Sequence, residues 1–512
     1  MRESDMESFC AAPVFSSNMV LQRDREIAVF GTGTDGTVLT VTLGSGSGSC
    51  AVNRGRWRVN LPPMPAGGPF TMTISDGSEC KVFENILIGE VWLAGGQSNM
   101  ELELQNCKNG KRELAGSFNS QIRFYSVPKC GWDDETLRKA EAESSWKVCG
   151  PDTAAALSAV AYFCARTLRE ELKIPVGIIV CCWGGTSISC WMSREQLARS
   201  KAGQRYLDDY AALAGDKTDA QYDAEMESYF QEYNDWNARV EAMRAQNPSV
   251  TWEVLNVACG VCPWPQPAGR KSPYRPGGLY ETMVRRVVPY TIRGFLYYQG
   301  EEDEARCVDY GEMMVYLIDQ WRGDWGDDEL PFLFVQLPMF IAKSEYDSGR
   351  DSRHWCVLRE HQWRVSRMIR NTALAVVLDC GEFDNIHPLD KQTVGLRLAL
   401  QALKTVYGRP VSADGPAFRA ARPERGGLRV FFEHGQGLRF RTSPEGSFEL
   451  AGADGVYYPA KASIENDTVF LTSGDVPEPL FARYAWASWG PVPLYNAAGI
   501  PAAPFRSSRL IE

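Results

Sequence analysis

Five mostly apolar runs recur along the chain, at residues 86–94, 174–183, 294–298, 332–337 and 373–378, and they restrict the possible folds more than any other feature. Continuous apolar stretches of this length suit strands buried on both faces, as in a parallel sheet covered by helices. Helical patterns lie between them at 154–172, 355–369 and 391–407, the last closed by Gly408. Strands alternating with helices predict an α/β domain with a parallel sheet from about 89 to 408.

The flanks read differently. Over 1–88 the apolar residues alternate with period two between Gly, Pro, Asp and Ser clusters. Leu39, Val41 and Leu43 share one face, as do Trp57, Val59 and Leu61, and Phe70, Met72 and Ile74. Short strands with turns at 44–49 and 62–68 predict an N-terminal β-sandwich without helices. Period two returns over 409–512 (Leu428, Val430, Phe432; Phe448, Leu450; Val469, Leu471), a C-terminal β-rich module. Within the α/β domain, about 197–275 reads as a helical insertion. There Tyr206, Tyr210, Tyr222, Tyr229, Tyr233 and Trp236 fall at helical spacing as a packing stripe, followed by a Pro-rich loop.

Charge narrows the partners. The 54 basic residues against 64 acidic ones leave −10, a field that repels phosphate backbones and anionic lipid, so neither nucleic acid nor membrane is expected as a partner. No run reaches the ~18 apolar residues of a membrane span. The 15 cysteines are scattered, with no pair read at CxxC spacing, and read as free thiols rather than metal ligands or a redox pair. Together with an opening, Met1 to Met6, that lacks an apolar leader segment, they predict a cytoplasmic protein.

Four loops carry residue types suited to chemistry, three of them directly after apolar runs, where open α/β sheets build their sites. Gly95-Gly96-Gln97-Ser98-Asn99-Met100 can present Ser98 on a tight turn. It is not the G-x-S-x-G elbow, because Met100 stands at the second glycine position, and a helix N-cap reading of Ser98, with Glu101 nearby, stays open. Asp384-Asn385-Ile386-His387-Pro388 holds one of only four histidines. His354 and His361 lie seven apart on one helix, without a metal-binding i+4 spacing, and His434 falls in the C-terminal module. His387 reads either as an ordinary turn residue or as a base with an orienting acid three residues earlier. Trp183-Gly184-Gly185-Thr186-Ser187 can offer backbone N–H groups to an anion, and no lysine follows to make it a P-loop. Tyr298-Gln299-Gly300-Glu301 supplies a glutamine amide as a further oxyanion donor.

Taken in order, these blocks resemble the sialate O-acetylesterase-like group of the SGNH hydrolases. The resemblance spans nearly the whole chain. Gly89-Glu90-Val91-Trp92 leading into Gly96-Gln97-Ser98-Asn99-Met100-Glu101 is similar to the group's nucleophile block, and the Trp183, Tyr298 and Ile386-His387-Pro388 motifs to its later blocks. Phe15-Ser16-Ser17-Asn18-Met19-Val20-Leu21-Gln22 resembles its N-terminal sandwich, and Arg483-Tyr484-Ala485-Trp486, Leu494-Tyr495-Asn496 and 501–506 its C-terminal ending.

That resemblance implies a flavodoxin-like SGNH hydrolase domain between the two β-rich modules and a serine esterase acting on O-acetylated sugars, sialic acid first, without metal or cofactor. It implies Ser98 as nucleophile, His387 as general base, Asp384 as acid, and Gly185 and Gln299 with the Ser98 N–H as oxyanion donors. The chain departs from the pattern at Asn385, which stands where related sequences often carry the acid, so Glu301 and Glu382 are fallback acids. It departs again at Glu302-Asp303, in place of a small polar pair. A sialate carboxylate calls for a cation, for which Arg359 is a candidate. Acetylated plant polysaccharide such as acetylxylan is the alternative substrate. With 15 Trp, 20 Tyr and 22 Phe, a non-catalytic carbohydrate-binding protein is the alternative of another class. A thiol nucleophile at Cys181 or Cys182 is disfavoured inside an apolar strand.

Overall fold

The first apolar run lies within a seventeen-residue strand, Cys80–Gly96, of the computed structural model, which describes residues 8–247 and 250–508. The opening Met1 to Met6 lies outside the described residues. The N-terminal half of this strand pairs antiparallel with Gly67–Ser75 and parallel with Val20–Gln22. Its C-terminal half pairs parallel with Val176–Cys182 on one side and Gly294–Tyr298 on the other. The sandwich and the α/β sheet therefore share one strand, and the expected boundary at 88 falls in its middle. The burial pattern changes close to that point: up to Asn85 the residues are exposed or half-buried, and from Ile86 to Gly96 every residue is buried.

The chain divides into two compact units: Met1–Tyr210 with Lys271–Gln299 and Val315–Phe334, and Ala211–Arg270 with Gly300–Met314 and Val335–Glu512. In the first unit the sandwich strands follow the period-two expectation. Leu39, Val41 and Leu43 are fully buried, and Arg56–Leu61 alternates strictly. The segment 44–49, expected as a turn, is a correction: Gly46–Ala51 is a strand, joined to Val38–Leu43 by a two-residue hairpin. Its Gly/Ser composition hides it. Gly48 has to be small, since a Cβ there would stand 2.7 Å from Val59.

The unit's central sheet runs in the order Lys147–Cys149, Asn119–Ser126, Val176–Cys182, Cys80–Gly96, Gly294–Tyr298, Phe332–Val335. Counted along the chain, its parallel strands read 2-3-1-4-5, one exchange away from the 2-1-3-4-5 flavodoxin order. Strand Cys80–Gly96 is the switch point from which the chain builds outward in both directions, so the crevice at its C-terminal end is where such sheets bind ligands.

The first strand enters this sheet over a buried charge network. Glu90, with no exposure, takes bonds from Arg23 (2.6 Å), Arg293 (2.6 Å) and Gln22 (3.2 Å). Burial alone would push its carboxyl up, but the Arg293 and Arg23 guanidiniums outweigh it and hold Glu90 below the usual carboxylate range.

The insertion carries helices Lys201–Ala214, Asp219–Gln246 and Trp252–Cys259, the last two within the second unit. Trp236, Val240, Leu255 and Cys259 form its small core, and Tyr222 and Tyr229 are also buried. Cys259-Gly260-Val261-Cys262 has CxxC spacing, which corrects the reading of the cysteines as merely scattered. Cys259 ends its helix with Sγ against Met243, and both thiols are free. The unit also holds strand Thr372–Ala375, helices His354–Met368 and Lys391–Thr405, and the C-terminal sheets, whose strands Gly427–Glu433, Phe448–Ala451 and Thr468–Thr472 carry the expected alternating residues. Among the described residues, no helix is long and apolar enough to cross a membrane, and no group of His, Cys, Asp and Glu is arranged to hold a metal ion.

Candidate active site

In the first unit the strand Cys80–Gly96 ends in a forced turn. Gly96 has φ +135°, and a Cβ there would stand 2.1 Å from the Tyr298 carbonyl, so only glycine fits. Gln97 is the N-cap of the short helix Ser98–Glu101, and Ser98 is its first helical residue. The cap reading of Ser98 therefore does not hold. Asn99 and Met100 are buried beneath, with the Met100 carbonyl accepting Ser158 Oγ (2.6 Å), while Ser98 stays partly exposed.

The Trp183–Thr186 loop lies against this serine. Trp183 N–H donates to the Gly96 carbonyl (3.1 Å). A Cβ on Gly184 would come within 3.2 Å of Ser98 Cβ, so the glycine is what lets the loop backbone approach so closely. Gly184 N–H donates to Glu101 Oε2 (2.5 Å), and Gly185 takes φ +69°. Gln299 is fully buried and donates from Nε2 to Gln97 Oε1 (3.1 Å) and to the Thr186 carbonyl (3.2 Å). Both of its amide hydrogens thus tie neighbouring loops together. Burial pushes the Cys182 thiol up to about 12 and Cys181 well above its ordinary value, so neither is a ready nucleophile.

In the second unit His387 sits in the loop before helix Lys391–Thr405. Its N–H donates to Asn385 Oδ1 (3.0 Å), Asn385 Nδ2 donates to Glu382 Oε2 (2.8 Å), and Leu389 N–H to Glu382 Oε1 (2.7 Å). Glu382 thereby moulds the loop. Burial, with a smaller push from Lys391, lowers His387 to about 4, so its imidazole is neutral at pH 7. Asp384 takes φ +55°, and its Oδ1 accepts the Lys343 N–H (2.9 Å). Its carboxylate thus caps the turn at 341–343. Glu301 is buried and follows Gly300, whose φ is +149°. Arg359 is fully buried and donates to the Ala487 (3.2 Å) and Ser488 (3.0 Å) carbonyls, which turns it to the interior rather than toward a solute.

Comparison with known proteins matches residues 240–404 to a family described as carbohydrate esterase, sialic acid-specific acetylesterase. The chain is 27% identical to the sialate O-acetylesterase of Mus musculus, over 94% of this chain and 90% of that one. It is 26% identical to that of Homo sapiens, over 97% and 92%. A crystal structure of a carbohydrate acetylesterase from Xanthomonas citri superposes with a TM-score of 0.76 at 28% identity, covering 98% of this chain and all of that one. Over nearly its whole length the chain is similar to sialate O-acetylesterases. Two features beside Ser98 are not evident from the sequence: Lys129, whose ammonium pairs with Glu101, and the Glu101 bond to Gly184. The only signal for either was that Glu101 stands three residues after Ser98, on the same helical face.

Proposed function

We propose that this esterase removes O-acetyl groups from sugars, O-acetylated sialic acid foremost, as a serine hydrolase of the SGNH type. The reading rests on the near-full-length similarity to sialate O-acetylesterases, with Ser98 held on a glycine-forced turn at the C-terminal end of the switch strand as the observation that carries it. In this mechanism Ser98 attacks the acetyl carbonyl and His387 takes its proton, a task its neutral imidazole suits. Asp384 is the proposed acid, acting through Oδ2, which the Lys343 bond leaves uncommitted. The N–H groups of Gly185 and Ser98 are the proposed donors to the developing oxyanion. Gln299 braces the loops that carry them, a role nearer to its observed bonds than direct donation. The sugar alcohol leaves, and water activated by the same base releases acetate from acetyl-Ser98.

The test is acetate release from 9-O-acetylated sialic acid by wild type and Ser98→Ala. The expected result is turnover by wild type and a loss of about 10⁶-fold in the variant. Cleavage of an aryl acetate but not of the sialate would move the substrate to other acetylated glycans such as acetylxylan. Cleavage of neither would leave a carbohydrate-binding protein.

A further inference from the structure

Two glycines in succession leave a loop with no side chain to pack, and Gly184-Gly185 is such a loop beside Ser98. Something else has to fix its place, because a shift of ~1 Å in a catalytic donor costs on the order of 10²-fold in rate. The structure supplies one connection. Glu101 closes the four-residue helix that Ser98 opens, and its Oε2 accepts the Gly184 N–H at 2.5 Å. The same carboxylate meets Lys129 through Oε1, and the Lys129 ammonium stands 6.0 Å from the ring centroid of Trp183, the residue before the glycines. Carboxylate, loop, indole and ammonium thus close into one ring beside the nucleophile. A charge-assisted bond of this kind is about twice as strong as a neutral one and is directional. The Gly184 N–H is spent on it, so the next amide, Gly185, is the one free to serve the reaction.

We propose that Glu101, held in orientation by Lys129, is the positioning residue that sets the Trp183–Gly185 loop against Ser98. The inference rests on the reading of Ser98 as nucleophile and Gly185 as oxyanion donor, and assigns the rigidity of that donor to a carboxylate outside the catalytic group. Its effect falls on the transition state. The ground-state ester carbonyl makes little use of the oxyanion donor, so the loss belongs in kcat rather than KM.

The experiment compares wild type, Glu101→Ala, Glu101→Gln and Lys129→Met on an aryl acetate, with thermal melting of each. Glu101→Ala is expected to lose about 10²-fold in kcat, the order of one oxyanion donor, with KM changed less than about threefold. Glu101→Gln keeps an acceptor oxygen for Gly184 and is expected to regain activity to within about tenfold of wild type. Lys129→Met, which keeps the carboxylate but frees its orientation, is expected to fall between them. Equal losses in Glu101→Ala and Glu101→Gln that track a fall in Tm would overturn the proposal, as would an unchanged kcat in Glu101→Ala. A wild type that cleaves neither the aryl acetate nor 9-O-acetylated sialic acid sinks the esterase reading itself, and the positioning role with it.

Discussion

At Asp384 and Glu382 the identity of the catalytic acid comes down to which carboxylate oxygen has work left to do. Both oxygens of Glu382 receive protein donors, whereas Asp384 has one oxygen capping Lys343 and sits three residues before the histidine. Asp384→Asn is expected to lower kcat about 10⁴-fold, the usual cost of removing the acid from such a triad, and Glu382→Gln only about tenfold through the loop. Stopped-flow measurement of acylation on an aryl acetate separates them, and the opposite ranking would move the role to Glu382. Arg359 belongs to the same scale. Its side chain fills the interior and serves two carbonyls, so Arg359→Ala leaves a cavity and takes a donor from the Ala487 carbonyl, while the Ser488 carbonyl keeps the Phe340 N–H. The expected cost is about 3 kcal/mol of stability with KM for acetylated sialate unchanged in the folded fraction. A raised KM at unchanged stability would restore it as a substrate ligand. The sequence shows an arginine on a helix; only the fold shows which way it points.

The strand Cys80–Gly96 shows what was legible at the level of elements and what was not. Its C-terminal half, all buried, announces a two-sided sheet position, and the runs at 294–298 and 332–337 are strands for the same reason. The strand Asn119–Ser126 was not legible, because Arg123 interrupts it. That guanidinium is buried and satisfied by the Asn18 (3.0 Å) and Asn85 carbonyls, a solution that depends on contacts distant in sequence. Helix Cys307–Trp325 was missed as well, because Met313 to Ile318 form one short continuous apolar run in which no helical period shows. The Ser98 turn, by contrast, was readable from its glycines, since the close approach of backbone to backbone at Gly96 is a local requirement. Glu90 within the long strand is the element's test. Two guanidiniums converge on a fully buried carboxylate, and removing it takes from Arg23 and Arg293 the anion they share, while Arg23 keeps Asp24 at 3.2 Å. Glu90→Ala is expected to cost about 3–5 kcal/mol by chemical denaturation. A loss under about 1 kcal/mol would mean that the network contributes little to holding the strand.

Over the whole molecule, acid acts in two successive windows, and the shifted groups say which way each runs. Burial lowers His387 to about 4 and lowers His361 as well. The unfolded chain binds these protons as pH falls through ~6.5, the folded chain only at lower pH, about 4 for His387, so stability declines across that interval. Glu90 and Asp414 are held below the usual carboxylate range, Asp414 by Lys404 and Gln401 against its burial. Their contribution is present above ~4.3 and is lost as pH falls through their folded values. The apparent Tm is therefore expected to slope downward from about pH 6.5 and more steeply below pH 4.3, with His387→Gln flattening the upper part alone. Catalysis follows a different course, because the same depressed imidazole is the proposed base. An ordinary histidine base would leave only about a tenth of the enzyme competent at pH 5.5, whereas His387 stays neutral there and keeps kcat/KM near its plateau. Measured on an aryl acetate between pH 4 and 8, the acid limb is expected near 4, inside the range where the fold itself begins to weaken. An acid limb at 6.5 would mean that the buried surroundings of His387 do not govern its proton during turnover.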